Sequence, residues 1–285
     1  MEKKYLCISM KVAKTTLILT LILLSKENSA QSFLDTLNYS IDSNLKYIKV
    51  DKLNNIWYIY ENKIIRTSSE QAYNDTLDNL NIQQLSLDLS TPLKNLFYFR
   101  NKNSVEIKNS RWGLISSFKL DALQIFEPSL VNFTSDKMVL ILDVRENMLY
   151  KLNENGVKVN QKTNPFRIYN KYYFPKEMIP YKNYCIALDT TYGIFLIDDY
   201  GNLSQTKKIE YCQNLFEHKG KIYLSQGNIL LQIQTTAKGI LDFSIVKKAI
   251  FPSAIRSLQT LNENALILFE NKRIYELKNF ESLFK

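Results

Sequence analysis

The residues best suited to chemistry are four aspartates, each predicted to lie near the end of an inner strand: Asp51, Asp88, Asp143 and Asp189. Carboxylate oxygens are ligands that calcium prefers, so four of them converging on one point could serve a calcium-dependent hydrolase or lyase. An aspartate in such a place can instead close a turn by accepting hydrogen bonds from nearby backbone N–H groups. The sequence favours the turn interpretation, and the calcium enzyme remains an alternative.

Histidine chemistry has a single candidate, His218 in FEHKGKIYL. A Ser/His/Asp hydrolase needs a buried histidine beside a nucleophile, with a carboxylate to orient its ring. His218 stands next to a Lys-Gly-Lys turn, where we expect it to be exposed to solvent. We therefore predict no catalytic residue, no metal site and no cofactor.

A repeated strand pair organises the rest of the sequence. The stretch NNIWYIYENKIIR, from Asn54, consists of turn, apolar run, turn and apolar run, and five later stretches resemble it. Corresponding positions recur at intervals of 38 to 46 residues: Ile56, Leu96, Met138, Tyr184, Ile222 and Ala265. A period of about 40 to 45 residues with several strands per unit is typical of propeller blades.

A third short apolar strand precedes each pair, with room for a fourth, and the residue types are those of strands rather than helices. The sequence therefore predicts an all-β, six-bladed β-propeller with four-stranded antiparallel blades. The segment FLDTLNYS, from Phe33, is predicted to be the outer strand of the last blade. Such closure removes the free sheet edges that favour aggregation.

Residues 1–30 have the pattern of a secretory signal peptide. A lysine-containing lead precedes the apolar core TTLILTLILL, and Ala30 is a small residue suited to cleavage. The core has about half of the roughly twenty apolar residues that a membrane-spanning helix needs. We therefore expect residues 31–285 to form a single exported domain, either periplasmic or associated with the outer membrane, and not a transmembrane protein.

The net charge suggests which partners to expect. Removing residues 1–30 takes away five Lys and two Glu, so the net charge falls from +9 to +6. That excess is ordinary for a soluble domain, and we expect no nucleic-acid partner for an exported protein. An envelope protein or a glycan is the predicted partner.

Two cysteines remain in the exported chain, Cys185 and Cys212. They could form a disulfide, which persists in an oxidising compartment. They could equally remain two buried free thiols.

The segment NPFRIYNKYYFPKEMIPYKNY, from Asn164, mixes aromatic and basic residues and occupies the longest interval between repeats. Arginine and tyrosine are enriched at binding hot spots. We predict that partner binding involves Arg167, Lys171, Tyr172 and Tyr173, while packing against the outer strand of the third blade is the alternative role.

Three stretches resemble a known family: DLSTPLKNLFYFRNKNSVEIKN from Asp88, TSDKMVLILDVRENMLYKLNENG from Thr134 and DTTYGIFLIDDYGN from Asp189. The chain is similar there to an uncharacterised family of exported, six-bladed propeller-like proteins of the Bacteroidota. The resemblance implies a cell-envelope location and no established activity. The predicted function is a non-catalytic binding or scaffold propeller, with a calcium-dependent hydrolase or lyase and a small-ligand sensor as alternatives.

Overall fold

The computed structural model describes residues 34–36, 44–67, 74–77, 84–164, 175–198, 200–235, 241–251, 253–261, 264–269 and 274–277. Residues 1–30, the predicted signal peptide, lie outside this part of the chain. Strands dominate it, with two short 3-10 helices at Arg100–Lys102 and Asp121–Leu123. The described strands pair into six four-stranded sheets.

The first three sheets each contain four strands that are consecutive in sequence. Sheet 1 consists of β2 (Leu45–Val50), β3 (Ile56–Tyr60), β4 (Ile64–Thr67) and β5 (Asn74–Leu77). Sheet 2 consists of β6 (Leu85–Thr91), β7 (Lys94–Phe99), β8 (Ser104–Asn109) and β9 (Leu114–Lys119). Sheet 3 consists of β10 (Pro128–Phe133), β11 (Val139–Asp143), β12 (Met148–Leu152) and β13 (Lys158–Thr163).

The next two sheets repeat this order, and the last combines both ends of the described chain. Sheet 4 consists of β14 (Glu177–Tyr181), β15 (Tyr184–Asp189), β16 (Gly193–Asp198) and β17 (Leu203–Lys207). Sheet 5 consists of β18 (Asn214–His218), β19 (Lys221–Gln226), β20 (Ile229–Thr235) and β21 (Leu241–Ile250). Sheet 6 consists of β22 (Ile255–Leu261), β23 (Asn264–Phe269), β24 (Ile274–Leu277) and β1 (Leu34–Thr36).

The core lies between neighbouring sheets. Each of six buried apolar clusters joins two successive sheets, and one of them joins sheet 6 back to sheet 1. In β3, for example, Trp57 and Ile59 pack towards sheet 2, whereas Ile56 and Tyr58 pack towards sheet 6. All five residues of this strand are buried because both of its faces are covered. The predicted all-β propeller fold with four-stranded antiparallel blades is confirmed.

Strand β1 pairs with β24 in antiparallel register, with Leu34 opposite Leu277 and Thr36 opposite Tyr275. It is the outermost strand of sheet 6. The predicted pairing of the segment around Phe33 with the last sheet is therefore confirmed. The pairing adds the fourth strand to a sheet that otherwise has three.

One turn geometry recurs on one side of the ring. The strands of a sheet alternate in direction, so the turn from the first to the second strand and the turn from the third to the fourth strand lie on the same side of the ring. We call this side the turn face and the other side the opposite face. Five such turns share a backbone pattern, with a positive φ at the fourth residue: 51–55, 109–113, 134–138, 153–157 and 198–202. In each, a side-chain oxygen of the first residue accepts the N–H of the fifth. Asp, Asn and Thr suit this position because their short side chains reach nearby backbone.

Removing residues 31–41 is expected to open the ring. The deletion removes β1 and its hydrogen bonds to β24, each contributing about 1 kcal/mol. We expect the protein beginning at residue 42 to unfold roughly 5–10 °C below the protein beginning at residue 31, which is the matched reference. Thermal unfolding and light scattering measure the two effects, since the exposed edge of β24 should also promote aggregation. Equal melting temperatures would show that β1 contributes nothing to closure.

Candidate functional site

The first strand of every sheet lies next to the axis of the ring, and together these strands line a central channel. On the turn face the channel opens into a cavity of about 260 Å³. Its lining includes polar residues from all six first strands: Lys49, Ser86, Asn132, Glu177, Glu217, His218, Gln259 and Thr260. A second cavity begins at the opposite face and shares five residues with the first: Lys49, Ser86, Leu87, Lys176 and Glu177. These five residues therefore lie between the two openings.

Lys49 and Glu177 bring opposite charges into the channel from β2 and β14, whose sheets are three steps apart in either direction around the ring. The Lys49 ammonium donates to the carbonyl oxygen of Leu87 at 2.6 Å. The Glu177 carboxylate accepts the N–H of Leu215 at 3.0 Å. Each charge is thus held by the backbone of a neighbouring sheet, and in the described part of the chain no ion pair joins the two.

The channel makes ionisation of Glu177 unfavourable. Loss of water around the carboxyl raises its pKa, and the nearby charge of Lys49 and the hydrogen bond from Leu215 only partly oppose this effect. A raised pKa means that the folded protein holds the proton more tightly than the unfolded chain does. The ionised Glu177 therefore reduces the stability of the fold.

The four aspartates do not converge on the channel. Asp51 follows β2 and Asp88 lies within β6, and both border the channel, whereas Asp143 and Asp189 end the second strands β11 and β15. The prediction that all four stand near the ends of inner strands is wrong for the last two. Second strands are separated from the axis by the first strand of the same sheet.

Each of the four side chains is hydrogen-bonded to backbone N–H groups, as the turn interpretation requires. Asp51 accepts from the amides of Leu53 and Asn55 and from the indole of Trp57 at 2.9–3.0 Å. Asp88 accepts the amides of Ser90 and, across the sheet boundary, Phe133 at 2.8 and 2.6 Å.

The other two aspartates bind their own loops on the opposite face. Asp143, which is fully buried, accepts the amides of Phe126, Arg145 and Glu146 at 2.7–3.2 Å. Asp189 accepts the amides of Thr191 and Tyr192. Within the described residues, no three His, Cys, Asp or Glu side chains form a group that could hold a metal ion.

His218 is buried, with 1% of its surface exposed, and the expectation that it faces solvent is wrong. It is the last residue of β18, pairs with Lys221 across the turn and lines the channel. The turn residues Lys219 and Gly220 are the exposed ones. The sequence predicted the turn at Lys219 and Gly220 correctly, but not the burial of the His218 side chain before it.

Cys185 and Cys212 are both buried, and the structure has no disulfide between them. Cys185 packs on the face of sheet 4 that covers sheet 3, whereas Cys212 packs in the cluster between sheets 4 and 5. Sheet 4 therefore separates them. Burial raises the pKa of the Cys212 thiol to about 11, which suppresses the reactive thiolate at neutral pH.

The predicted binding residues Arg167, Lys171, Tyr172 and Tyr173 lie outside the described residues, in the connection from β13 to β14. Their role remains a prediction. Among the basic residues that flank them, Lys176 lines the channel at both cavities.

Sequence reasoning missed a set of exposed apolar side chains, which we call the aliphatic rim: Leu93, Leu114, Ile115, Val157, Val159 and Tyr200. Their exposed fractions range from 42% to 72%. They come from sheets 2 and 3 and from the last turn of sheet 4. Apolar residues beside turns, as in TPLK and NGVKV, were the available signal.

Polar contacts hold the segments of the aliphatic rim together. Lys94, next to Leu93, forms an ion pair with Glu154, whose carbonyl oxygen also accepts the Ser116 hydroxyl at 2.6 Å. Asn160, next to Val159, donates to the carbonyl oxygen of Tyr200 at 3.3 Å. The rim thus follows a continuous set of contacts across three successive sheets.

No protein-family model matches the sequence, and no curated protein does. Solved structures match over most of the chain. A streptogramin B lyase superposes with a TM-score of 0.58 at 11% identity, covering 86% of this chain and 97% of that one. This chain has a β-propeller fold. At identities this low the likeness shows the fold alone.

Two further solved structures agree. Virginiamycin B lyase from Staphylococcus aureus gives a TM-score of 0.56 at 13% identity, covering 85% of this chain and 87% of that one. The WD40 β-propeller domain of Doa1 gives a TM-score of 0.55 at 10% identity, covering 88% of this chain and 97% of that one.

No helix in the described ranges is long and apolar enough to cross a membrane.

Substitution of Asp143 tests whether these carboxylates are structural. Asp143→Ala leaves three backbone N–H groups without their acceptor, so we expect the free energy of unfolding to fall by about 2–3 kcal/mol in urea titration. Calcium should leave the melting temperature of both proteins unchanged. Glu146→Ala, at an exposed position, is the control and should change stability by less than about 0.5 kcal/mol. A calcium-dependent stabilisation that Asp143→Ala abolishes would restore the metal interpretation.

Substitution of Glu177 tests whether its ionised carboxylate lowers the stability of the fold. Because the pKa of the folded state is raised, stability is lost as pH rises through that pKa. Glutamine keeps an acceptor for Leu215 and cannot ionise. We therefore expect Glu177→Gln to melt above the parent at about pH 8 and to differ little at about pH 4, where both side chains are neutral. A variant that melts below the parent at the higher pH would show that the ionised carboxylate stabilises the fold instead.

Proposed function

We propose that this chain is an exported, six-bladed propeller of the cell envelope, either periplasmic or associated with the outer membrane. Each of the six sheets acts as one blade. It holds a protein or glycan partner and catalyses no reaction. The signal-peptide pattern of residues 1–30 and the resemblance to exported propellers of the Bacteroidota support the location.

The aliphatic rim is the observation that carries the binding proposal. Leu93, Leu114 and Val157 each leave more than half of their surface in water. Scattered single apolar residues are normal on a protein surface, but a group of them across adjacent elements is typical of an interaction site. Five of its six members are aliphatic and offer no hydrogen bonds to sugar hydroxyls, so these five favour a protein over a glycan.

The non-catalytic part of the proposal is supported by what the carboxylates do. The calcium-dependent alternative needs several aspartates aimed at open space in the channel. Asp51 and Asp88 border the channel, but their oxygens are occupied by backbone and indole N–H groups. Using them as metal ligands would require breaking those turns.

A pair of variants tests the rim. The rim variant combines Leu114→Ser, Val159→Ser and Tyr200→Ser, and the control combines Leu53→Ser, Ile250→Ser and Tyr211→Ser, which are exposed elsewhere. Affinity capture from envelope extract identifies the partner, and its affinity is then measured with purified components. Loss of a binding hot spot costs about 2 kcal/mol, so we expect the rim variant to bind roughly thirtyfold more weakly and the control to bind like the parent.

A third variant tests the predicted segment with the same partner. Arg167, Lys171, Tyr172 and Tyr173 are changed to Ala together, and unchanged melting temperatures are required of all variants first. Loss of binding only in this variant would move the interface to the connection from β13 to β14. Unchanged binding in both this variant and the rim variant would contradict both surfaces. Turnover of any captured partner would contradict the non-catalytic proposal.

A further inference from the structure

We propose that the central channel holds a small zwitterionic ligand with the chemistry of a free α-amino acid, bound between Lys49 and Glu177. The ligand's carboxylate would meet the Lys49 ammonium, and its ammonium group would meet the Glu177 carboxylate. This site goes beyond the binding of a partner at the rim and does not depend on it.

The two charges are placed to receive such a ligand. They come from first strands on opposite sides of the ring, and both belong to the lining of both cavities. Each is fixed by one backbone hydrogen bond, Lys49 to Leu87 and Leu215 to Glu177. An ammonium group has three donors and a carboxylate has about four acceptor positions, so one backbone hydrogen bond leaves each group with further hydrogen-bonding capacity.

The charges attract each other through space without forming an ion pair in the described part of the chain. Two opposite charges that have lost part of their water without forming an ion pair are unfavourable, and the folded chain does not bring Lys49 and Glu177 into contact. A ligand that carries one charge of each sign satisfies both groups at once. A ligand with a single charge satisfies one and leaves the other as it was.

The rest of the cavity suits a small polar molecule. Its volume of about 260 Å³ is far above the roughly 10–15 Å³ that a single water requires. Ser86, Asn132, Gln259 and Thr260 add neutral donors and acceptors around the charged pair. Lys176 also belongs to the lining of both cavities. Towards the turn face lie further charged or titratable residues: Asp51, Lys52, Asp88, Glu217, His218 and Lys219.

The position of Glu177 supports a functional role. Loss of surrounding water raises the pKa of its carboxyl, so its charge destabilises the folded protein. A glutamine at this position would keep the hydrogen bond from Leu215 without that cost. Residues that lower stability are characteristic of sites kept for function.

The experiment uses the purified protein and the twenty standard L-amino acids, tested singly by calorimetry and thermal unfolding. We expect at least one to bind and to raise the melting temperature. The N-acetyl derivative and the methyl ester of the same amino acid, which lack the positive or the negative charge, should bind at least about tenfold more weakly.

Variants locate the site. Lys49→Met and Glu177→Gln should each weaken binding of the amino acid at least about tenfold. Glu177→Gln should also melt above the parent at about pH 8, so its weaker binding would not reflect unfolding. Lys46→Met and Glu61→Gln, which change a more exposed ion pair, are the matched controls and should bind normally. The proposal is overturned if no amino acid binds, if either derivative binds as well as the parent compound, or if both channel variants bind normally.

Discussion

Burial on both faces is the constraint on which this structure depends. Every sheet has an apolar cluster on each side, and each cluster needs the next sheet to cover it. Fully burying one large aliphatic side chain contributes about 1.5–3 kcal/mol, so a sheet left with one open face would lose several such contributions. A linear stack would leave two open faces, whereas a ring leaves none. The cluster between sheets 6 and 1 is the packing that the ring adds to the stack, and the pairing of β1 with β24 completes the sheet that makes it.

The same constraint explains which parts of the fold the sequence could predict. Second strands such as Val139–Asp143 are buried along their whole length, so they appear as continuous apolar runs and mark each repeat. Fourth strands are different. Leu114–Lys119 has exposed or partly exposed residues throughout, so the sequence left room for such strands without defining them.

The candidate site could be predicted only in part, for a related reason. The aspartates were assigned to turns because turn chemistry is local and acts over two to four residues. The approach of Lys49 to Glu177 depends on the curvature of the whole ring, and neither residue belongs to a local motif. His218 shows the limit of local reasoning most clearly, because the turn beside it was predicted correctly while its side chain is buried beside the channel. The aliphatic rim likewise appears only when three sheets are adjacent.

Strand β1 has a consequence for the order in which the molecule is assembled. Residues 34–36 are made long before residues 274–277. Yet β1 finds its partner strand in the described structure only at β24, on the outer side of sheet 6. The first strand of the chain can therefore pair only after the last strand is present. Contacts between residues so far apart in sequence form slowly. The five preceding sheets can stack one after another, but the two open faces of the stack persist until the final sheet is complete. The interval before the last sheet completes the ring is thus the period in which this chain is most exposed to aggregation.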